Sequence, residues 1–143
     1  SGPGLPSARI QLALDAPVLS YRIDRDGGVI ALESSGHIVR VFASKQIVLS
    51  DATLINIASA GVSSDATQVF IALQGATSKT VSLFDVPTKT WKVLSLPATL
   101  DQVFWSPNDS RLAYTTKDQG VTSVFTVDTK AKNSTAKKPF IIS

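Results

Sequence analysis

The chain repeats one short pattern three times, at intervals of about forty residues. The pattern begins at Ile23, Val62 and Trp105, and runs from an apolar residue through polar, turn-forming positions into a short hydrophobic strand. The three segments, 23–32, 62–71 and 105–114, align without a gap. A repeat of this length predicts stacked copies of one small structural unit, which strongly limits the folds available to the chain.

Each unit has the hydrophobic pattern of β-strands. Apolar and polar residues alternate with a period of two, and no long helical stripe occurs. Val, Ile, Thr and aromatic residues fill these runs, while Gly, Asp, Asn, Ser and Pro lie between them. The predicted strands are 18–23, 29–33, 37–43 and 46–49 in the first unit, 55–59, 68–73, 80–86 and 91–95 in the second, and 102–105, 111–116, 122–128 and 140–142 in the third. Such a unit cannot bury both of its faces alone, so we expect the units to stack.

The repeat also predicts the domain boundaries. Residues 1–7 resemble a linker or tag, and 8–17 carry an extra alternating strand at 10–14. The repeated units then occupy 18–50, 51–96 and 97–143. The last unit ends in a basic tail without acidic residues, which we interpret as a solvated connection; its lysines are Lys130, Lys132, Lys137 and Lys138.

Composition excludes several classes of protein. With 143 residues, 43% hydrophobic and 17% charged, the chain has the size and apolar content of one globular domain. No apolar run approaches the roughly 18 residues that span a bilayer, and the first residues do not resemble a signal peptide. The chain has no methionine, which predicts a processed product or an excised piece. It has no cysteine, so disulfides, thiolate metal sites and a Cys nucleophile are excluded.

Catalytic and metal-binding motifs are weak. His37 is the only histidine and follows a Ser-Ser-Gly turn. The sequence has no G-x-S-x-G elbow with a serine that His37 could activate, which favours an exposed turn residue. The segment 24–28, Asp-Arg-Asp-Gly-Gly, hints at a calcium loop. However, the positions that need Gly and a carboxylate hold Val29 and Ser35, so we interpret it as a turn. The sequence predicts no enzyme, no metal and no cofactor.

The candidate binding residues are aromatic or basic. They are Trp91, Trp105, Arg111 and Tyr114. Nucleic-acid binding would need more basic residues interleaved with aromatic ones, and we predict none. Asn108 and Asn133 fit the glycosylation pattern N-x-S/T, and whether they carry glycans is left open.

The third unit carries a family resemblance. Its segment 105–114, Trp-Ser-Pro-Asn-Asp-Ser-Arg-Leu-Ala-Tyr, followed by the strand 124–128 ending in Asp, resembles a WD40-like propeller repeat of the TolB type, also found in prolyl-oligopeptidase relatives. The first unit keeps Asp26-Gly27 of the turn, and the second keeps only Ser63 and Asp65. The resemblance covers about residues 18–130. It implies an all-β fold of three four-stranded antiparallel propeller blades.

This resemblance also has consequences for packing and number. Trp105, Phe104, Leu112 and Tyr114 would pack between adjacent blades. Closed propellers have about four to eight blades, so three blades predict a part of a larger propeller or a ring completed by oligomerisation. Two copies would give six blades, and the strand 10–14 could complete a neighbouring blade.

The functional expectation is a non-enzymatic scaffold for protein–protein interaction or assembly, including self-association. Two alternatives stay open: an accessory domain of a peptidase-like enzyme whose catalytic domain is outside this chain, and a module that binds glycans or cell wall. Low charge, absence of Cys and Ser/Thr-rich strands favour a periplasmic or cell-surface location and leave the cytoplasm open.

Overall fold

The computed structural model describes residues 17–107 and 111–129, and the backbone of 136–142. These residues form three antiparallel sheets of four strands each. The first sheet comprises β1 (Val18–Ile23), β2 (Val29–Glu33), β3 (Ile38–Phe42) and β4 (Lys45–Ser50). The second comprises β5 (Ile57–Val62), β6 (Gln68–Gln74), β7 (Lys79–Asp85) and β8 (Thr90–Leu94). The third comprises β9 (Leu100–Trp105), β10 (Arg111–Asp118), β11 (Val121–Asp128) and β12 (Ala136–Ile142).

The three sheets share one topology. Within each sheet, neighbouring strands follow each other along the chain. The first strands of successive sheets lie next to each other, because β1 contacts β5 and β5 contacts β9. The part of the chain that the structure describes contains no helix that could span a bilayer. The predicted strand 10–14 and the linker 1–7 lie outside the described residues, as do Asn108 and Asn133.

The hydrophobic core consists of two clusters, one at each contact between sheets. The first cluster joins the first and second sheets, and its largest members are Ile30, Leu32, Ile38, Val69, Ile71 and Phe84. The second joins the second and third sheets, and includes Phe70, Ala72, Leu83, Val103, Leu112 and Tyr114. Strand β6 therefore contributes to both clusters, since alternate side chains point to opposite faces. Burial on both faces explains why its sequence is a nearly continuous apolar run.

The strand register corrects the gapless repeat alignment in the first unit. A one-residue difference in the turn moves every following side chain to the other face of its sheet. The turn before β2 is one residue shorter than the turns before β6 and β10. The pairs that close these three turns are Ile23–Val29, Val62–Val69 and Trp105–Leu112. The structural equivalent of Val69 and Leu112 is thus Val29, whereas the gapless alignment assigns Ile30.

The twelve strands predicted within the three units are all present among the described elements, with some ends displaced. The largest displacements are at β12, which begins at Ala136 rather than at residue 140, and at β5, which ends at Val62 rather than at residue 59. Strand β10 continues to Asp118, where a two-residue turn leads into β11. Both turn residues, Gln119 and Gly120, have positive φ (50° and 80°). This is the backbone of a tight hairpin turn, which keeps the strands paired to their ends.

Candidate functional site

The third sheet holds two of the four predicted binding residues in the interior. Tyr114 is 1% exposed and stacks on Phe125, with ring centroids 5.1 Å apart. Burial raises the pKa of the Tyr114 phenol. Trp105 lies on the same face, half-buried, and its indole Nε1 donates to the carbonyl oxygen of Gly61 in the second sheet at 2.7 Å. Both side chains thus contribute to the contact with the second sheet.

The other two predicted residues lie elsewhere. Trp91, on the outermost strand β8, is 36% exposed, packs on Phe84 at 5.0 Å and donates from Nε1 to Ser50 Oγ in the first sheet (3.2 Å). Arg111 is exposed at the start of β10. The four residues do not form one cluster, and binding by Trp91 and Arg111 stays a prediction.

The segment 24–28 is a turn held by a carboxylate. Asp24 Oδ1 accepts from the backbone N–H groups of Asp26 and Gly28, both at 2.9 Å, and Oδ2 accepts from Arg40 Nε at 2.7 Å. The bond from Arg40 is the main reason that the pKa of Asp24 lies below its ordinary value; the two backbone bonds act in the same direction and burial opposes them. A Cβ at Gly28 would lie 2.6 Å from the Arg40 guanidinium, so a larger residue there would displace this side chain, which bonds Asp24. The described residues contain no group of three or more side chains suited to a metal.

His37 is half-buried beside the turn that precedes β3. Its Nδ1 lies 3.7 Å from the Glu33 carboxylate, and its Nε2 shares a hydrogen bond of 3.2 Å with the Thr53 hydroxyl. The backbone of the same region is also joined, since Leu54 N–H donates to the Ser35 carbonyl oxygen. These contacts hold the connection between the first and second sheets against the β2–β3 turn. The geometry therefore gives His37 a structural role.

A cleft of about 360 Å³ lies between the second and third sheets. Two hydrogen bonds join its walls: Lys92 Nζ donates to the Thr129 carbonyl oxygen at 2.9 Å, and the Thr129 hydroxyl donates to Gln68 Oε1. Asp85, also in the lining, accepts from the Thr88 backbone N–H at 3.1 Å. Much of the polar lining of this cleft therefore serves to connect the two sheets.

The outer faces of the first and third sheets have no neighbouring sheet among the described residues. On the first sheet, Tyr21, Ile23 and Val48 are exposed by 53–54% on the face opposite the second sheet. On the third sheet, Phe104 is 43% exposed on the corresponding outer face. Phe104 does not share the contact of Trp105 with the second sheet, since adjacent residues of a strand point to opposite faces, and its packing against a further blade stays a prediction.

Solved structures have a similar fold over most of this chain. The crystal structure of TolB from Acinetobacter baumannii matches with a TM-score of 0.57 at 14% identity, over 86% of this chain and 32% of that chain. A nidogen/laminin complex matches with a TM-score of 0.50 at 13% identity, over 85% of this chain and 48% of that chain. The three sheets therefore have a WD40-like propeller-type fold and correspond to three blades of a β-propeller. The chain spans less than half the length of either structure. No protein-family model and no curated protein matches the chain.

Several residues that join the blades were not singled out from the sequence. Gly61 lets the Trp105 ring approach, because a Cβ there would lie 3.0 Å from Phe70 and 3.3 Å from Trp105. Glycine inside a strand often marks a place where a neighbouring segment approaches the backbone closely, so Gly61 could have indicated its contact with Trp105. Ser20, whose hydroxyl accepts from the Val62 N–H at 3.1 Å, and Lys79, which donates to the Asp101 carbonyl oxygen, carry no comparable signal.

Proposed function

We propose that the protein is a non-enzymatic propeller scaffold that associates with other protein through the outer faces of its first and third blades. It would act as part of a larger propeller or of a ring formed by self-association. The observation that carries this proposal is that both outer faces expose large apolar side chains where a closed propeller has further blades.

Equivalent positions within the chain support this proposal. Ile23 occupies the same register position as Val62 and Trp105, both of which lie at the contact with a preceding blade. Val62 is 2% exposed, whereas Ile23 is 54% exposed. The margin of this face, at Tyr21, Ile23 and Val48, therefore presents apolar side chains of the type that the second and third blades bury, whereas Ala31 and Val39 in its middle are buried.

The third blade offers a complementary surface. Phe104 pairs with Ala113, as Gly61 pairs with Phe70 in the second blade. Gly61 and Phe70 receive the next blade, so Phe104 and Ala113 would receive a fourth. A head-to-tail contact of this kind closes into a ring when the rotation per subunit permits it.

Because Trp91 and Arg111 are exposed near the blade edges, we propose them as peripheral contacts. We place the protein in the periplasm or at the cell surface, for which its low charge and lack of cysteine argue.

Sedimentation velocity over a range of concentrations tests the association. We expect a concentration-dependent mass above that of one chain, and a weaker association by about tenfold or more for Phe104→Ser, since burying a phenylalanine contributes about 1.5–3 kcal/mol. Val93→Ser is the matched control, because Val93 is 71% exposed on the outermost strand β8 rather than on an end face. A monodisperse monomer would contradict self-association. Equal effects of the two substitutions would contradict the role of the end faces.

A further inference from the structure

The cleft between the second and third blades holds polar atoms that the contact between these blades does not use. Gln68 Oε1 accepts from the Thr129 hydroxyl, which directs the Nε2 group of the same amide away from that bond. Among the described residues, no group accepts a hydrogen bond from Gln68 Nε2, and none donates to Asp85 Oδ1. The described buried side chains leave no nitrogen or oxygen without a partner, so solvent in the cleft reaches Gln68 Nε2.

Thr90 supplies a second acceptor in the same lining. The Thr88 hydroxyl donates its one proton to Asp85 Oδ2 at 2.7 Å. The hydrogen bond of 2.7 Å between the Thr88 and Thr90 hydroxyls is therefore donated by Thr90, whose oxygen keeps a lone pair for a further donor. Asp85 pairs with Gln68 on one side and with Thr90 on the other. One donor and two acceptors thus lie in a row across β6, β7 and β8, with about 4.8 Å between strands.

The corresponding row at the contact between the first and second blades is not polar in the same way. The strand register places Gly28 of the first blade at the position of Gln68, and Phe42 at the position of Asp85. Packing of one blade on the next therefore does not require an amide and a carboxylate at these positions. The polar row of the second blade needs another explanation.

We infer that this cleft binds a neutral sugar, such as one hexose unit, through adjacent hydroxyl groups. Each sugar hydroxyl can donate and accept, so neighbouring hydroxyls can donate to Asp85 and Thr90 while one accepts from Gln68. Lys92 lies in the same lining and has the charge opposite to that of Asp85, which favours an uncharged ligand. A peptide group, by contrast, offers a single N–H donor for two acceptors.

The size and the apolar part of the cleft agree with such a ligand. Its volume of about 360 Å³ lies near the lower end of the range of about 300–1,000 Å³ for small-molecule sites. Leu83 and Pro87 line the cleft beside the polar row, where they can contact the C–H groups of a sugar ring. The inference does not depend on the proposed scaffold role, because this cleft lies between two blades rather than on an outer face.

An NMR titration of the isotope-labelled full chain tests this inference. The probes are the methyl glycosides of glucose, galactose, mannose and N-acetylglucosamine, each added separately. We expect at least one of them to shift the amides of 67–68, 88–92 and 129 with a millimolar Kd. N-acetylglycinamide, which has amide groups but no hydroxyl, should shift them less. Absence of these shifts with every sugar would overturn the inference, and so would tighter binding of N-acetylglycinamide than of any sugar.

Substitution of Asp85 tests which atoms bind the sugar. Asp85→Asn removes the charged acceptor and should weaken sugar binding at least about tenfold, because hydrogen bonds to charged groups are the stronger ones. The matched control is Asp128→Asn. Asp128 pairs with Arg111 as Asp85 pairs with Gln68, but it belongs to the third blade and does not line the cleft, so the Kd should not change. Equal effects of the two substitutions would overturn the inference.

A second variant keeps the test valid if Asp85→Asn does not fold. Thr90→Val removes one hydroxyl at an exposed position of β8 and keeps the shape of the side chain. It should weaken sugar binding about threefold, as expected for one hydrogen bond between uncharged groups. An unchanged Kd for Thr90→Val would contradict the role of the polar row.

Discussion

The two contacts between blades are built differently, although they share the strand β6. The contact between the first and second blades is mainly aliphatic, with Ile30 and Ile71 fully or almost fully buried. The contact between the second and third blades contains the rings of Phe70, Trp105 and Tyr114. Hydrogen bonds from Trp105, Lys79 and Lys92 to backbone carbonyl oxygens also join the second and third blades. Each of these hydrogen bonds contributes about 1 kcal/mol to stability.

One repeat therefore supports two kinds of interface. The first contact depends mainly on shape and area, which many combinations of Ile, Leu and Val supply, and is also joined by hydrogen bonds from Trp91 Nε1 to Ser50 Oγ and from the Val62 N–H to Ser20 Oγ. The second contact contains more aromatic rings, and its indole and ammonium donors need specific backbone carbonyl oxygens. We therefore expect substitutions at the second contact to have the larger and more specific effects.

Removal of the central ring at the aromatic contact should have the largest effect. Tyr114→Ala should lower the free energy of unfolding by about 3–5 kcal/mol, because it deletes a buried ring and its stack on Phe125. Urea denaturation measures this loss. The matched control is Phe104→Ala in the same blade, whose exposed ring should contribute under about 1 kcal/mol in a monomer. Equal losses for the two rings would show that the third blade does not pack as described.

A truncation at the aliphatic contact should cost less. Ile71→Ala should lower the free energy of unfolding by about 2–4 kcal/mol, since Ile71 is fully buried between the first two blades. Ile55→Ala is the control at a position that is 75% exposed, and should be nearly neutral. A loss at Ile71 greater than that for Tyr114→Ala would reverse the proposed order of the two contacts.

Acid should weaken the turn that begins the first blade. The folded-state pKa of Asp24 lies below its ordinary value of 3.8, so its contribution is fully present above that pH and is lost as the pH falls through the lowered folded value. Asp24→Asn should cost about 1 kcal/mol at neutral pH and flatten the loss of stability in acid. Urea midpoints measured between neutral and strongly acidic pH check this. The exposed Asp51→Asn serves as control, and an unchanged acid profile for Asp24→Asn would contradict the role of the pair with Arg40.

The smallest effect should be a gain at the β3–β4 turn. Ala43 and Ser44 both have positive φ (51° and 66°), a conformation that is costly for residues other than glycine. Ser44→Gly should therefore raise the free energy of unfolding by about 0.5–1 kcal/mol, measurable as a higher Tm. Ser34→Gly, at a turn position without positive φ, should give no gain. A gain at both positions would indicate an effect on the unfolded chain instead.

Much of the fold follows from the sequence because hydrophobic alternation and turn residues act locally. The run 68–73 could be identified as a strand from its β-branched and aromatic residues, and its burial on both faces is consistent with its continuous apolar character. The register of β2 could not be predicted. The sequence alone does not show that the turn closed by Asp24 and Gly28 is one residue shorter than the corresponding turns of the other two blades. The end of β10 was missed because Lys117 and Asp118 are polar.

The candidate surfaces were less predictable than the strands. Trp105 and Tyr114 were selected as aromatic residues that could bind a partner, but aromatic character does not reveal which face of a strand a ring occupies. Burial on one face and exposure on the other depend on which blades are neighbours, a property of tertiary structure. The exposure of Phe104 became visible only when the sheets were placed together.

The central claim is that the second blade lies between the other two and that β6 supports both contacts. Hydrogen exchange of the intact chain tests it most directly. We expect the amides of Val69, Phe70, Ile71 and Ala72 to exchange among the slowest in the protein, through global unfolding only, and both Tyr114→Ala and Ile71→Ala to accelerate them. Exchange of these amides as fast as that of the outermost strands β4 and β8 would contradict it.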